Sequence, residues 1–218
     1  FERKDFSFKK ISGSDLDSGY GTFKSWLQFQ QAIFHFSKKY KYLITTDIAN
    51  FYDFIGHRHL RNIVTSISNH PEVTLDALIH VMNGLLWHPD YMPRVDIGLP
   101  QIDGDAPRIL AHSFLYEADE FLSSIPNSGF ARFMDDIDIG ANSIPECKGI
   151  LKDLDTVLKK RQIRLNSGKT KILRSSEAEG HFWVKENFRL DRIEERIEHS
   201  PQKFKAGAGS CQLLNSYL

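Results

Sequence analysis

Three aspartates are the residues of this sequence best suited to chemistry, and two of them are adjacent. Asp135 and Asp136 follow the apolar-rich stretch Phe130–Met134, and alternation then resumes over Ile137–Ile139 around Asp138. This pattern predicts a β-hairpin with an aspartate pair at its tip. Neighbouring carboxylates repel each other in an apolar setting, and a divalent cation bridging substrate phosphates would compensate their charge. Taken alone, the pair is also explained by a solvated acidic turn.

The third aspartate, Asp47, ends a stretch of strand-forming residues, Tyr42–Thr45. A carboxylate at a strand end lies where α/β sheets place ligands. If this strand and the hairpin are adjacent, three carboxylates converge in the geometry of two-metal phosphoryl transfer, with the cations about 3.5–4 Å apart. Mg²⁺ suits such a site because it keeps waters and substrate phosphates among its ligands. Tyr52 follows closely enough to lie beside whatever Asp47 holds, whereas Phe51 is better explained as a core residue.

Helices and hairpins must position these aspartates. Apolar residues three and four apart, with proline and N-cap signals, predict helices over Thr22–Lys39, His57–Ile67, Pro71–Trp87, Pro107–Ser123 and Ser143–Lys160. The fourth helix leaves its polar residues largely off the apolar stripe: Arg108, His112, Glu117 and Asp119. Further strands are predicted at Phe6–Ile11 and in hairpins over Gln162–Leu173 and His181–Leu190. This order indicates an α+β fold with an antiparallel sheet packed on helices.

Composition excludes several classes of protein. The 218 residues carry 28 basic and 28 acidic side chains, so no global basic field indicates nucleic acid, although Lys159–Arg174 contains seven basic residues and no acidic one. The two cysteines, Cys147 and Cys211, lack metal-ligand spacing, which argues against a zinc module or a disulfide scaffold. No apolar run approaches a membrane span, and we expect a cytoplasmic protein. Because the chain lacks an initiating Met, we expect it to be a fragment.

Four motifs carry a resemblance to the fingers and palm of reverse transcriptases. Asp47–Tyr52 resembles the family's first catalytic motif, and Phe133–Asp136 resembles its aromatic-x-Asp-Asp signature. Gly98–Gln101 resembles the opening of the motif between them, and Leu165–Thr170 resembles the following Leu-Asn-x-x-Lys-Thr motif. They stand in the family's order, and His181–Leu190 occupies the place of the primer-grip hairpin. The chain resembles most closely the bacterial abortive-infection and other defence-associated members.

The resemblance implies an RNA-directed DNA polymerase, a nucleotidyltransferase that adds deoxynucleotides to a 3′ end on an RNA or DNA template, in antiphage defence. It implies a right-hand polymerase palm with partial fingers: residues 1–40 as fingers, 41–180 as palm, and 181–218 as the primer-grip-like hairpin with the start of a thumb or C-terminal extension. The implied partners are a template and primer of RNA or DNA and deoxynucleoside triphosphates. A non-coding RNA and a homo-oligomer are further candidates, and no membrane is implied.

The resemblance also assigns roles to single residues. Two Mg²⁺ ions, for which Mn²⁺ is a substitute, would be held by Asp47, Asp135 and Asp136, with the backbone carbonyl of Ile48 as a further ligand. Tyr52 falls where the family excludes a 2′-hydroxyl, and Gln101 falls near the incoming nucleotide. The remaining roles are triphosphate contact by Lys10, with Lys9 and Arg3 as alternatives, and proton donation to the leaving pyrophosphate by Lys169. A surface lysine on a turn explains Lys169 equally well.

The stretch after Gly98–Gln101 departs from ordinary members, which continue with Gly and then Ser-Pro. Here Asp103 and Asp105 put negative charge where template and nucleotide should pass, and Arg108–Ala111 is similar to the defence-associated branch. Untemplated or protein-primed DNA synthesis in abortive infection is therefore one alternative. A non-catalytic nucleic-acid-binding palm module is another. A nuclease with clustered carboxylates is disfavoured because it would give Tyr52 no role.

Overall fold

The part of the chain described by the computed structural model comprises residues 23–87, 89–93, 95–102, 105–183, 189–190 and 193. Lys10 and the strand predicted at Phe6–Ile11 lie outside these residues. So does the middle of the hairpin predicted over His181–Leu190. The described ends of that segment are not strands, because His181 ends a helix and Arg189 and Leu190 are helical. The boundary between two compact units falls between Ala178 and Glu179, and the elements that concern function belong to the first unit.

The described residues form both helices and strands. The helices are α1 (Phe23–Lys39), α2 (His57–Ile67), α3 (Glu72–Leu85), α4 (Asp105–Phe114), α5 (Tyr116–Ser124), α6 (Ile144–Lys159) and α7 (Ser175–His181). The strands are β1 (Tyr42–Thr46), β2 (Gly129–Phe133), β3 (Asp136–Ala141) and β4 (Lys171–Arg174). A short 3₁₀ helix follows β1 at Tyr52–Phe54. Ser143 caps α6 as its sequence predicts, because its hydroxyl accepts a hydrogen bond from the Glu146 amide.

The strands form one antiparallel sheet in the order β2-β3-β1-β4. β1 is central, and its register places Thr46 opposite Ile137 of β3. Asp47, the next residue of the chain, therefore lies level with Asp136 at the same end of the sheet. The predicted adjacency of the Asp47 strand and the aspartate hairpin is confirmed.

Helices cover both faces of the sheet. α1 packs on the face that carries Gly129, Asp138 and Gly140, whereas α5 and α6 pack on the face that carries Ile137 and Ile139. Alternation around Asp138 is typical of a strand with one solvated face, yet Asp138 is only 2% exposed because α1 lies over it. The buried core continues through α2 and α4, so the end of the sheet that carries the three aspartates rests on packed structure.

The helix predicted over Pro107–Ser123 is two helices. α4 ends at Phe114, and α5 begins after Leu115, whose φ of −91° and ψ of 9° are not helical. The break changes which side chains face the core. His112 and Asp119, which an unbroken helix would place largely off the apolar stripe, are both buried.

One other prediction of local structure was wrong. Gln162–Leu173 is not a hairpin, because β4 pairs with β1 and Leu165 makes an isolated bridge with Ile48.

The third helix, α3, contacts the core through part of its apolar residues. Leu75 and Met82 are buried, and Leu78 and Ile79 are partly buried against the core, whereas Val73, Val81 and Leu85 are exposed.

Close packing of α1 on the sheet makes Gly140 intolerant of a side chain. A Cβ at this position would lie 2.1 Å from Cδ2 of the Tyr40 ring. Gly140→Ala should therefore lower the free energy of unfolding by about 1–3 kcal/mol, as overpacking does. Gly149→Ala is the control, because a Cβ on that residue of α6 would meet nothing within 4 Å and should raise helix stability by about 1 kcal/mol. Denaturant unfolding measures both, and equal effects would contradict the packing.

Candidate active site

Asp47 is the most buried of the three predicted catalytic carboxylates, with 5% of its surface exposed. Its Oδ2 accepts a hydrogen bond from Lys169 Nζ at 2.5 Å. Its Oδ1 is also buried but has no hydrogen-bond partner among the described residues. An unsatisfied carboxylate oxygen away from water is costly, and a cation would satisfy it. This orphaned oxygen fits the metal-ligand role predicted for Asp47.

Backbone hydrogen bonds fix the Leu165–Thr170 motif against Asp47. The Asn166 amide donates to the Asp47 carbonyl at 2.9 Å, and the Ala49 amide donates to the Arg164 carbonyl at 3.0 Å. Ile48 and Leu165 thus form the non-hydrogen-bonded pair of this bridge, so the Ile48 carbonyl points away from Leu165. The pairing explains how Lys169, distant in sequence, reaches the Asp47 carboxylate.

The turn between β2 and β3 carries the aspartate pair. Phe133 pairs with Asp136, which leaves Met134 and Asp135 as the two central residues of the hairpin turn. Met134 has a φ of 56°, a backbone conformation that the first position of a type II′ turn requires and that glycine adopts most easily. The Phe133 ring packs against α1, with its centroid 5.3 Å from that of Trp26.

The carboxylates of the site influence one another. Burial raises the pKa of Asp135, and the charge of Asp47 raises it further. Burial also raises the pKa of Asp136, which reaches about 6 with the added charges of Asp135 and Asp47. Lys169 opposes both shifts. The site therefore holds an excess of negative charge that one ammonium group does not remove.

The side chains do not form a ready-made metal cage. Within the described ranges, no group of three or more His, Cys, Asp or Glu side chains could hold a metal ion by itself. Mg²⁺ does not need such a cage, because it is commonly bound through one or two carboxylates together with waters and substrate phosphates. The donor set of Asp47, Asp135 and Asp136 fits that mode of binding.

Tyr52 and Gln101 lie on one connected loop system. Burial is the main cause that raises the pKa of Tyr52, and the charge of Asp135 adds to it, which places the phenol within electrostatic reach of the turn that carries Asp135. The Leu99 amide donates to the Tyr52 carbonyl at 2.8 Å. Gln101 is exposed, and its Nε2 donates to Asp53 Oδ1 at 3.1 Å. The structure thus links Gln101 to the motif of Asp47 through Asp53.

The basic stretch Lys159–Arg174 is less available to bind phosphate than its sequence implies. Besides Lys169, Lys159 pairs with Asp155 at 2.6 Å, and Arg161 Nε donates to Glu117 Oε2 at 2.7 Å. Ion pairing neutralises part of the charge that would attract phosphate. The other basic residues of the stretch are exposed: Lys160, Arg164, Lys171 and Arg174.

Sequence reasoning missed Arg132, which lies three residues before Asp135. Arg132 is 0% exposed and donates hydrogen bonds to Asp119 and to the carbonyl of Met134. The sequence signal for it was a basic residue inside the otherwise apolar-rich stretch Phe130–Met134. A charged side chain in such a strand is buried only when it is paired, so Arg132 indicated a buried acidic partner.

The chain matches the family model described as reverse transcriptase (RNA-dependent DNA polymerase) over residues 14–203. It belongs to this family, and the predicted α+β palm-type fold and class of enzyme, an RNA-directed DNA polymerase domain, are confirmed. Among solved structures it is similar to telomerase from Candida albicans in complex with the TWJ fragment of telomeric RNA, at 11% identity and a TM-score of 0.47. That match covers 72% of this chain and 31% of the telomerase chain.

No curated protein sequence matches the chain. Among the described residues, no helix has the length and apolarity needed to cross a membrane.

Asp138 makes the free energy of unfolding depend on pH. Burial, chiefly, raises the pKa of Asp138 to about 8, although a hydrogen bond with Thr45 opposes the rise. Its Oδ1 has no hydrogen-bond partner among the described residues. Since the pKa is above the value of about 4 in an unfolded chain, the folded state binds more protons between these values, and the free energy of unfolding falls as pH rises through this window.

Asp138→Asn should therefore be more stable than the wild type above pH 8 and should lose most of the decline in stability between pH 6 and 8. Asp136 titrates below this range, at about 6, so its contribution is separate. The midpoint of thermal unfolding, measured from pH 5 to pH 9, tests this expectation. Asp153→Asn, on the exposed surface of α6, should keep the wild-type profile. An unchanged decline in Asp138→Asn would show that this carboxyl is not the group responsible.

Proposed function

We propose that this domain is a Mg²⁺-dependent DNA polymerase of the reverse-transcriptase type, which adds deoxynucleotides to a 3′ end on an RNA or DNA template. The observation that carries the proposal is Asp47, a buried carboxylate with one orphaned oxygen at the same end of the sheet as Asp135 and Asp136. The raised pKa values of Asp135 and Asp136 support it, because a cation would relieve the repulsion that contributes to them.

The residues that would hold two metal ions are Asp47, Asp135 and Asp136, with the Ile48 carbonyl as a further ligand and Mn²⁺ as a substitute for Mg²⁺. When bound, the ions would activate the attacking 3′ oxygen and stabilise the leaving oxygen. The protein's part is to hold these carboxylates at fixed positions on a packed sheet. β1 and β3 do so through the pairing of Thr46 with Ile137.

Lys169 is proposed as the proton donor to the leaving pyrophosphate. The hydrogen bond with Asp47, and then its charge, raise the pKa of Lys169, so the ammonium keeps its proton at neutral pH. Its side chain is mostly exposed and ends at the carboxylate cluster. A lysine in this position has a proton to donate and access to a bound triphosphate. The alternative role is structural: Lys169 then serves as a counterion of Asp47.

The nucleotide would be selected by Tyr52, whose ring is proposed to exclude a 2′-hydroxyl. Gln101, held by Asp53, would lie near the incoming nucleotide and template, and Lys10 is proposed to contact the triphosphate. Residues 1–40 would be partial fingers, 41–180 the palm, and 181–218 a primer-grip-like region with the start of a thumb or C-terminal extension. The proposed partners are a template with its primer and deoxynucleoside triphosphates, with a non-coding RNA and a homo-oligomer as further candidates.

A cytoplasmic role in antiphage defence is proposed from the resemblance of Arg108–Ala111 to the defence-associated branch. One observation favours templated synthesis within that role. Asp105, whose charge was expected to obstruct the template, pairs with Arg108 at 3.4 Å. The negative charge is therefore partly compensated. Untemplated or protein-primed extension and a non-catalytic binding module are distinguished by the next experiment.

Incorporation of labelled deoxynucleotides with Mg²⁺ tests the proposed activity on an RNA template, a DNA template and no added template. Asp135→Asn should reduce incorporation by more than about 100-fold, because loss of even an outer-shell partner of a metal ligand costs about 10- to 100-fold. Asp153→Asn, an exposed aspartate of α6, should match the wild type. Synthesis without template would favour untemplated extension. A wild type that incorporates nothing under any condition would favour the binding module and refute the catalytic roles of Asp47 and Asp135.

Sugar discrimination tests Tyr52 separately. Tyr52→Ala should admit ribonucleotides, since removal of the ring opens the space that a 2′-hydroxyl would occupy. Tyr52→Phe is the matched control, because it keeps the ring and should keep the discrimination. The ratio of kcat/KM values for deoxynucleotides and ribonucleotides measures the effect. An unaltered ratio in Tyr52→Ala would remove this residue from the nucleotide site.

A further inference from the structure

A fully buried arginine connects the catalytic turn to two helices. Arg132 lies in β2, and its Nε and Nη2 donate to Oδ1 and Oδ2 of Asp119 in α5, at 2.7 and 2.5 Å. Its Nη1 donates to the carbonyl of Met134 at 2.7 Å. His112 of α4 lies at the same guanidinium, with Nδ1 3.3 Å from Nη2. One side chain thus fixes a position in each of three elements.

The hydrogen bond from Arg132 to Met134 acts on the residue of the turn whose backbone conformation is strained. Met134 adopts a φ of 56°, which a residue with a side chain takes only when its surroundings impose it. Its carbonyl belongs to the peptide bond that leads directly into Asp135. A guanidinium that holds this carbonyl therefore fixes the plane of that peptide and the direction in which the Asp135 side chain leaves the backbone.

The ion pair with Asp119 makes this restraint rigid. Arg132 is 0% exposed and Asp119 is buried, so the two-point contact is not screened by water. Because Arg has a planar fork of donors, a fork that engages both carboxylate oxygens has little freedom to rotate. Asp119 is itself placed by the break at Leu115, whose carbonyl accepts the Asp119 amide at 3.0 Å.

We propose that the Arg132–Asp119 ion pair is a positioning element that holds the Met134 carbonyl and so sets the Asp135 carboxylate relative to Asp47. Its catalytic part rests on the proposed function of the site. Neither residue touches the reacting atoms in this role. The buried pair acts through the backbone of the turn.

A purely structural ion pair is the competing explanation, and the chain contains a matched example. Glu117 lies two residues from Asp119 on α5 and receives the same two-point contact from Arg161, at 2.7 and 2.5 Å. Arg161 follows α6 and does not reach the catalytic turn by this contact. Loss of either pair should affect stability, but only loss of the Arg132–Asp119 pair should release Met134.

The test compares Arg132→Lys and the double variant Asp119→Leu, Arg132→Met with Glu117→Gln. The lysine keeps the charge but cannot span both Asp119 and the Met134 carbonyl. The double variant leaves no unpaired buried charge, and apolar replacement of a buried ion pair is commonly tolerated by the fold. Thermal unfolding of each variant confirms that it is folded before further measurement.

Amide hydrogen exchange of the Met134–Asp138 segment is the first readout and does not depend on activity. Exchange should accelerate about tenfold or more in Arg132→Lys and in the double variant, as loss of a charged hydrogen bond implies, and should be unchanged in Glu117→Gln. Mn²⁺ affinity, followed by electron paramagnetic resonance, should fall about 10- to 100-fold in the first two variants. The value of kcat should fall with it, while KM for the nucleotide changes little.

The outcomes separate this inference from the proposed function. Unchanged exchange in Arg132→Lys and in the double variant, or equal acceleration in Glu117→Gln, would overturn the positioning role. Accelerated exchange with wild-type Mn²⁺ affinity and kcat, in an active protein, would overturn its catalytic part. If the wild type neither binds Mn²⁺ nor incorporates nucleotides, the proposed function fails, whereas faster exchange confined to the Arg132 and Asp119 variants would still support the restraint on the turn.

Discussion

Repulsion among carboxylates that are partly removed from water is the constraint on which this structure depends. Asp47, Asp135 and Asp136 raise one another's energy, and the fold keeps them together only because neighbouring groups oppose their separation. Lys169 supplies one compensating charge at Asp47. The remaining restraint is mechanical: β1 pairs with β3, the Leu165–Thr170 motif bonds to the backbone around Asp47, and helices close both faces of the sheet.

The sequence pattern correctly predicted those helices and strands that depend on residues close together in the chain. α1 and α2 follow from apolar spacing, α6 from its Ser143 cap, and the β2–β3 hairpin from alternation around the aspartate pair. The failures concern choices made by distant partners. β4 joins β1 instead of the adjacent segment around Leu165, because a central strand has two edges to satisfy and only the folded sheet decides which segment fills the second.

The candidate site divides in the same way. Asp47, Asp135, Asp136 and Lys169 were identified from motif and order, and the structure brings their charges together. Arg132 was not identified, because its role depends on a partner that a helix break delivers. Without the break at Leu115, Asp119 belongs to the polar side of a single helix. The role of a buried arginine inside a strand can be assigned only when the positions of its hydrogen-bond acceptors are known, and here these acceptors are Asp119 and the Met134 carbonyl.

Asp136 and Asp138 show how the fold gives two carboxyls of one strand different chemistry. They are two residues apart and point to the same face of β3, yet the pKa is raised to about 6 in one and to about 8 in the other. The two pKa values differ because the carboxyls differ in burial: Asp138 lies beneath α1, whereas Asp136 begins the strand at the turn. At neutral pH, Asp138 therefore stays mainly protonated, while Asp136 is mainly ionised and available to a cation. A sheet covered on both faces, with the aspartate turn at one end, thus confines the ionised carboxylates to the end where Asp47, Asp135 and Asp136 lie.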